Sequence, residues 1–197
     1  MFVYAVFTDF LYRHKSPQRF LVAPKLSLAR KPKDEVDGRK VIVDIGVVNT
    51  TRPGSDPPVK LRLGVEIKRA LDVMETLPPP ACIISNPDVE SAFHALSLRA
   101  QDQAKTAIRN KYTFSDTVDW IVLIGPYWTD FRFGPFTEAQ LAAQAPNPSP
   151  SAGSGPVPHL PDLFLLCEDD SYRRLEAILA STDGEAQHLV DAMGSGL

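Results

Sequence analysis

Cysteine is nearly missing from this 197-residue chain: Cys82 and Cys167 stand far apart, with no CxxC pair and no Cys/His cluster. That usage argues against a structural zinc site and against a disulfide-stapled secreted domain. Histidine is scarce too, and His14, His94, His159 and His188 have no spacing that suggests a zinc site or a triad. No apolar run approaches the roughly 20 residues of a membrane span. Gly-rich phosphate loops of the P-loop or dinucleotide type are absent. The two Gly-Ser-Gly stretches, at 153–155 and 194–196, sit in low-complexity or terminal context, so neither is a nucleophile elbow. The opening MFVYAVFTDFLYRHK lacks a basic leading region and meets Asp9 early, so it reads as a helix rather than a signal peptide. An intracellular location is the expectation, with no membrane partner.

What remains is an ordinary globular composition, 44% hydrophobic and 23% charged, on a chain long enough for one domain with a core. The net charge of −3 hides an asymmetry. Residues 1–40 hold nine Lys/Arg against four Asp/Glu, and residues 161–197 hold two against eight. A basic leading third suits contact with phosphates, and an acidic tail suits solubility or screening of that surface.

Helical spacing covers residues 2–15 and ends at Ser16-Pro17. Three strands are predicted next, at 19–29 (with Pro24 marking an edge or bulge), 41–48 and 59–69, forming an antiparallel meander. A short helical turn at 71–77 is stopped by Pro78-Pro79-Pro80. The strongest helix signal follows: Asn86 as N-cap, Pro87 at the first position, Asp88 and Glu90 in the first turn, and a buried stripe from Phe93 to Ile108. Val118–Ile124 reads as a buried strand, and 129–133 as another. Six prolines between Pro146 and Pro161 mark a linker. The division predicted is a core at 1–140, a Pro/Ser/Gly-rich linker at 141–160 and an acidic strand–helix appendage at 161–197. The fold class is mixed α/β (α+β), a sandwich with a central mixed sheet and its three-strand meander flanked by helices. The aromatic cluster Trp120, Tyr127, Trp128, Phe131, Phe133 and Phe136 reads first as core with an edge cover and second as a platform for stacking bases, with Tyr127 and Trp128, in the turn after the apolar strand, the ones expected to be exposed.

The chemistry concentrates in LRLGVEIKR, residues 61–69. Leu61, Leu63, Val65 and Ile67 alternate with Arg62, Gly64, Glu66 and Lys68, so Glu66 and Lys68 share a face opposite an aliphatic one. On the preceding strand Asp44 interrupts a Val/Ile-rich run, where an acid is disfavoured unless it has a partner. If the two strands are neighbours, Asp44 and Glu66 converge, and Gly46 and Gly64 leave open space beside them. Two adjacent carboxylates repel, and hard oxygen ligands suit Mg²⁺ or Mn²⁺. Such an ion activates water and neutralises phosphodiester charge, with Lys68 holding the water or the developing negative charge. The competing reading is a solvated strand face with no chemistry.

Helix, meander, Asp on the second strand, Glu-x-Lys on the third, then a long helix and an apolar strand resembles the PD-(D/E)xK nuclease superfamily. VDIGVV…LRLGVEIKRA is similar to members found in fungi, over roughly residues 2–135. The resemblance implies a restriction-endonuclease-like fold and a Mg²⁺- or Mn²⁺-dependent nuclease acting on DNA or RNA. Asp44 and Glu66 would then be the metal-binding acids and Lys68 the catalytic lysine. It also implies a glutamine from the following helix, Gln103 ahead of Gln101, and in many members an acid from the first helix, for which Asp9 is the candidate. Val43 stands where the family usually has proline. Basic residues from 13–40, with Arg62 and Arg69, would position the nucleic-acid backbone. The alternative implied is a catalytically inactive relative serving as a nucleic-acid- or protein-binding module.

Overall fold

The computed structural model describes residues 9, 21–28, 41–50, 57, 59–142 and 162–194. The predicted first helix lies outside these apart from Asp9, which is helical. Most of the predicted linker lies outside them as well.

Six strands form one sheet in sequential order: β1 (Leu21–Ser27), β2 (Ile42–Thr50), β3 (Val59–Lys68), β4 (Val118–Ile124), β5 (Tyr127–Phe133) and β6 (Phe164–Leu165). Neighbours are antiparallel except β3 and β4, which are parallel. That parallel pair requires a crossover, and the chain between them supplies α1 (Pro80–Ile83) and α2 (Pro87–Arg109). Two further helices among the described residues are α3 (Glu138–Ala142) and α4 (Asp169–Gly194). The result is a mixed α+β fold with a central sheet flanked by helices. Among the described residues, no helix is long and apolar enough to cross a membrane.

Helix α2 begins where its capping chemistry predicts. Asn86 is extended, and its side-chain oxygen accepts from the N–H groups of Asp88 (3.0 Å) and Val89 (3.4 Å). The helix buries Val89, Phe93, Leu96, Ala100, Ala104 and Ala107 against Leu61, Trp120, Val122, Ile124, Phe131 and Phe133. Alanine at three positions lets the helix axis approach the sheet closely, which matters for Gln103 below. The opposite face packs Ile45, Val47, Leu63, Val65, Ile121, Leu123 and Trp128 under Leu175, Ile178 and Leu179 of α4. The segment predicted as an appendage therefore adds the sixth strand and packs Leu175, Ile178 and Leu179 onto this face.

Several expectations are corrected. Leu61 and Leu63, two apart, enter opposite core clusters. The β2–β3 register explains this: Val47 faces Leu63 but Val48 faces Leu61, so Arg62 is an extra, bulged residue. Arg62 is also buried, at 6% exposure, rather than on the wet face that was to hold a phosphate backbone. Gly46 and Gly64 do not clear open space. A Cβ at Gly46 would lie 2.6 Å from Leu26 Cδ2, and one at Gly64 would enter the Trp120 ring. Tyr127 and Trp128 are fully buried. Strand β5 starts at Tyr127, because Gly125, at φ +57°, turns the chain within two residues. The predicted helical turn at 71–77 is present as a 3₁₀ turn at Asp72–Met74 that ends before Pro78, and Pro80 then opens α1, since proline fits a first helical position.

Candidate functional site

Strands β2 and β3 pair regularly from Ile45↔Val65 to Val47↔Leu63, which brings Asp44 next to Glu66. Beyond Ile45 the ladder gives way to a side-chain bond: Ile67 N–H donates to Asp44 Oδ2 at 2.9 Å. Asp44 therefore takes over a backbone donor that β2 would otherwise satisfy. Its other oxygen, Oδ1, receives the Lys25 ammonium. Lys25 sits on β1 opposite Asp44, between the pairs Pro24↔Ile45 and Leu26↔Val43, with φ at +53°. Non-glycine residues rarely adopt that conformation, and they hold it where surrounding contacts over-determine it.

Glu66 is fully buried and faces α2. Gln103, buried on the helix's alanine stripe, donates its amide to Glu66 Oε1 and, at 2.9 Å, to the backbone carbonyl of Ile42. Both acceptors are oxygens, so the amide must present its nitrogen to them; the flipped amide would set three oxygens against one another. One helical side chain thus ties together the two strands that carry the acids. One turn earlier on the same helix face, Arg99 Nε lies 3.4 Å from Glu66 Oε2. Glu66 Oε2 and Gln103 Oε1 are buried and take no hydrogen bond.

Burial pushes the Glu66 carboxyl up from its ordinary 4.5 to about 7. The Arg99 guanidinium pulls it down, the nearby Asp44 charge pushes it up, the Gln103 bond lowers it, and a hydrogen bond between the two carboxyls raises it. Strand pairing sets Asp44 beside Glu66, which is why its charge reaches the Glu66 carboxyl.

Lys68, two residues beyond Glu66, is exposed and has no ion-pair partner among the described residues. Arg69 is exposed beside it, and Gln101 is only partly buried. Asp9 is exposed, and no group of three or more Asp, Glu, His or Cys side chains with metal-holding geometry occurs among the described residues. A cation here would rest on two acids with further oxygens. The donor set is compatible with one: Asp44, Glu66 and the unpaired Gln103 Oε1 are all hard oxygens.

Sequence reasoning missed Arg99 and had Lys25 only among the basic residues of 13–40 assigned to a nucleic-acid backbone, whereas it pairs with Asp44. For Arg99 the signal was available, since it lies four residues before Gln103. For Lys25 only Pro24, which hints at an irregular strand, pointed that way. No protein-family model, no curated protein and no solved structure matches this chain.

Proposed function

We propose that the chain is a metal-dependent phosphodiesterase of nuclease type, acting on DNA or RNA, on a restriction-endonuclease-like sandwich. One observation carries this reading: two acids from adjacent strands meet beneath a helix whose glutamine is bonded to one of them, with an exposed lysine two residues further along the same strand. Asp44, Glu66 and Gln103 Oε1 are the atoms that would hold Mg²⁺ or Mn²⁺. Bound there, the ion would supply activation of water and neutralisation of phosphate charge. Gln103 orients Glu66 by fixing Oε1 and leaving Oε2 towards its neighbours. Lys68 offers a solvated ammonium to the developing charge or to the attacking water. Arg99, held against Glu66, and the exposed Arg69 next to Lys68 would add positive charge for a phosphodiester backbone.

The test is cleavage of single- and double-stranded DNA and RNA by purified protein with Mn²⁺. Glu66→Ala and Lys68→Ala should each abolish it, and cleavage that survives either substitution would sink the assignment.

A second reading rests on the pairing of both acids with basic side chains, Lys25 on Asp44 and Arg99 on Glu66. A site satisfied in this way suits a nuclease-like module that binds nucleic acid or protein without cutting. A thermal shift in millimolar Mg²⁺ or Mn²⁺ separates the two, because an ion bound only by the folded chain raises its melting temperature. A flat response favours the binding module.

A further inference from the structure

Asp44 and Glu66 each carry a cation from the chain itself, and both cations share a feature that a permanent structural ion pair does not need. Their side chains are mostly in water, with Lys25 65% and Arg99 57% exposed. The acids beneath them are 12% and 1% exposed. Each pair is thus a buried acid capped from outside by a solvated base, and the base can leave without being pulled from a dry environment. Arg99 is held by charge alone, since Glu66 Oε2 takes no hydrogen bond from it. Lys25 is set over Asp44 by a backbone in the left-handed region, immediately after Pro24. The two bases come from different elements, β1 and α2, and reach the acid pair from each.

We propose that Lys25 and Arg99 are resident counter-ions that compete with a divalent cation for the Asp44–Glu66 pair. This rests on the metal site described above and adds its regulation. Without the ion, the acid pair is neutralised from within. When the ion binds, both bases are displaced and their positive charge becomes available at the mouth of the site to an incoming phosphodiester. By linkage, a polyanion that draws off Lys25 and Arg99 strengthens metal binding by the same factor that the metal strengthens polyanion binding. The site is therefore loaded most readily by metal and substrate together.

The opposite view is that the two bases support the acids in the geometry a metal needs. The two views predict metal affinities that move in opposite directions. The experiment is calorimetric titration of Mn²⁺ alone into the full chain, comparing the native protein with Lys25→Met, Arg99→Met and the charge-retaining Lys25→Arg. Circular dichroism confirms that each is folded, and the two Met variants are independent should one fail to fold. An exposed ion pair is worth up to about a fivefold change in an equilibrium, so each Met variant should bind Mn²⁺ about fivefold more tightly. Lys25→Arg should stay near the native value. Adding Glu66→Gln to either Met variant should abolish binding, which places the ion on the acid pair. If the native chain binds Mn²⁺ and the Met variants bind no more tightly, the counter-ion proposal falls and the metal site stands. If no form binds Mn²⁺, both fall.

Discussion

The two faces of the sheet are built from the same six strands but to different rules. Under α4 the interface is apolar, and the polar contacts it makes among the described residues have partners. Trp128 Nε1 donates to the buried Ser171 Oγ at 2.7 Å, its ring stacks on Phe164 with centroids 4.8 Å apart, and Arg174 grips Asp130 through two nitrogens. Under α2 the apolar packing is interrupted by Glu66 and Gln103, whose second oxygens are unsatisfied. Burying a polar atom without a partner costs folding energy that the α4 face does not spend. The difference teaches where the fold tolerates cost, and it is the face with the candidate chemistry.

The largest effect should come from breaking the well-matched face. Trp128→Ala removes a fully buried ring and strands the Ser171 hydroxyl, which should cost about 3–5 kcal/mol in urea unfolding. A buried residue on the other face should behave in the opposite sense. With its carboxyl pushed up to about 7 by burial, Glu66 holds a proton in the folded chain that the unfolded chain has released above 4.5. The native state then binds more protons than the unfolded one between those values, so stability falls as pH rises. The contribution is fully present below pH 4.5 and is lost through pH 7, a change of about 3 kcal/mol. Metal-free protein should unfold at lower urea at pH 8 than at pH 5, and Glu66→Gln should remove that part of the slope. A slope unchanged by Glu66→Gln would mean that Glu66 ionises normally and that the two faces are equally relaxed.

Gln103 gives a smaller and sharper comparison. Gln103→Ala leaves Glu66 Oε1 and the Ile42 carbonyl without their donor, at a cost of about 1–3 kcal/mol. The same substitution at Gln101, two positions away and only partly buried, should change stability little. Equal losses at the two positions would show that Gln103 does not bridge the strands.

Much of this arrangement was legible in the residues, for identifiable reasons. The start of α2 was readable because Asn86, Pro87, Asp88 and Glu90 act locally, through the first turn's own donors and dipole. The meeting of Asp44 with Glu66 was readable because two period-2 strands joined by a short link tend to pair. The fates of Leu61, Arg62, Tyr127 and Trp128 were not. A bulge leaves no mark in an alternating pattern, yet it sends Leu61 to the other face and buries Arg62. Tyr127 and Trp128 looked like turn residues because β6, which pairs with both, and α4, which covers Trp128, arrive from beyond a Pro-rich stretch. Residues 162–181 look acidic and peripheral from composition alone. Their Leu175, Ile178 and Leu179 become core only once a sheet face is there to receive them. Lys25 and Arg99 belong to the same class, since what each does depends on an acid supplied by another strand.

The smallest expected effect concerns how α4 is held. Arg174 binds Asp130 with Nε at 2.9 Å to Oδ1 and Nη2 at 2.6 Å to Oδ2, a bidentate geometry that fixes the helix's rotation over β5. The arginine is 48% exposed and the acid 16%, so water screens much of the attraction. Arg174→Ala should therefore cost no more than about 1 kcal/mol, well below the loss at Trp128 in the same interface. A double-mutant cycle with Asp130→Ala separates the pair from the packing of the arginine's stem. A coupling energy near zero would leave Trp128, Ser171 and the leucines as the whole of the attachment. A coupling as large as the Trp128 loss would mean that this face, too, depends on its charges, and the contrast with the Glu66 face would then lie only in which polar groups find partners.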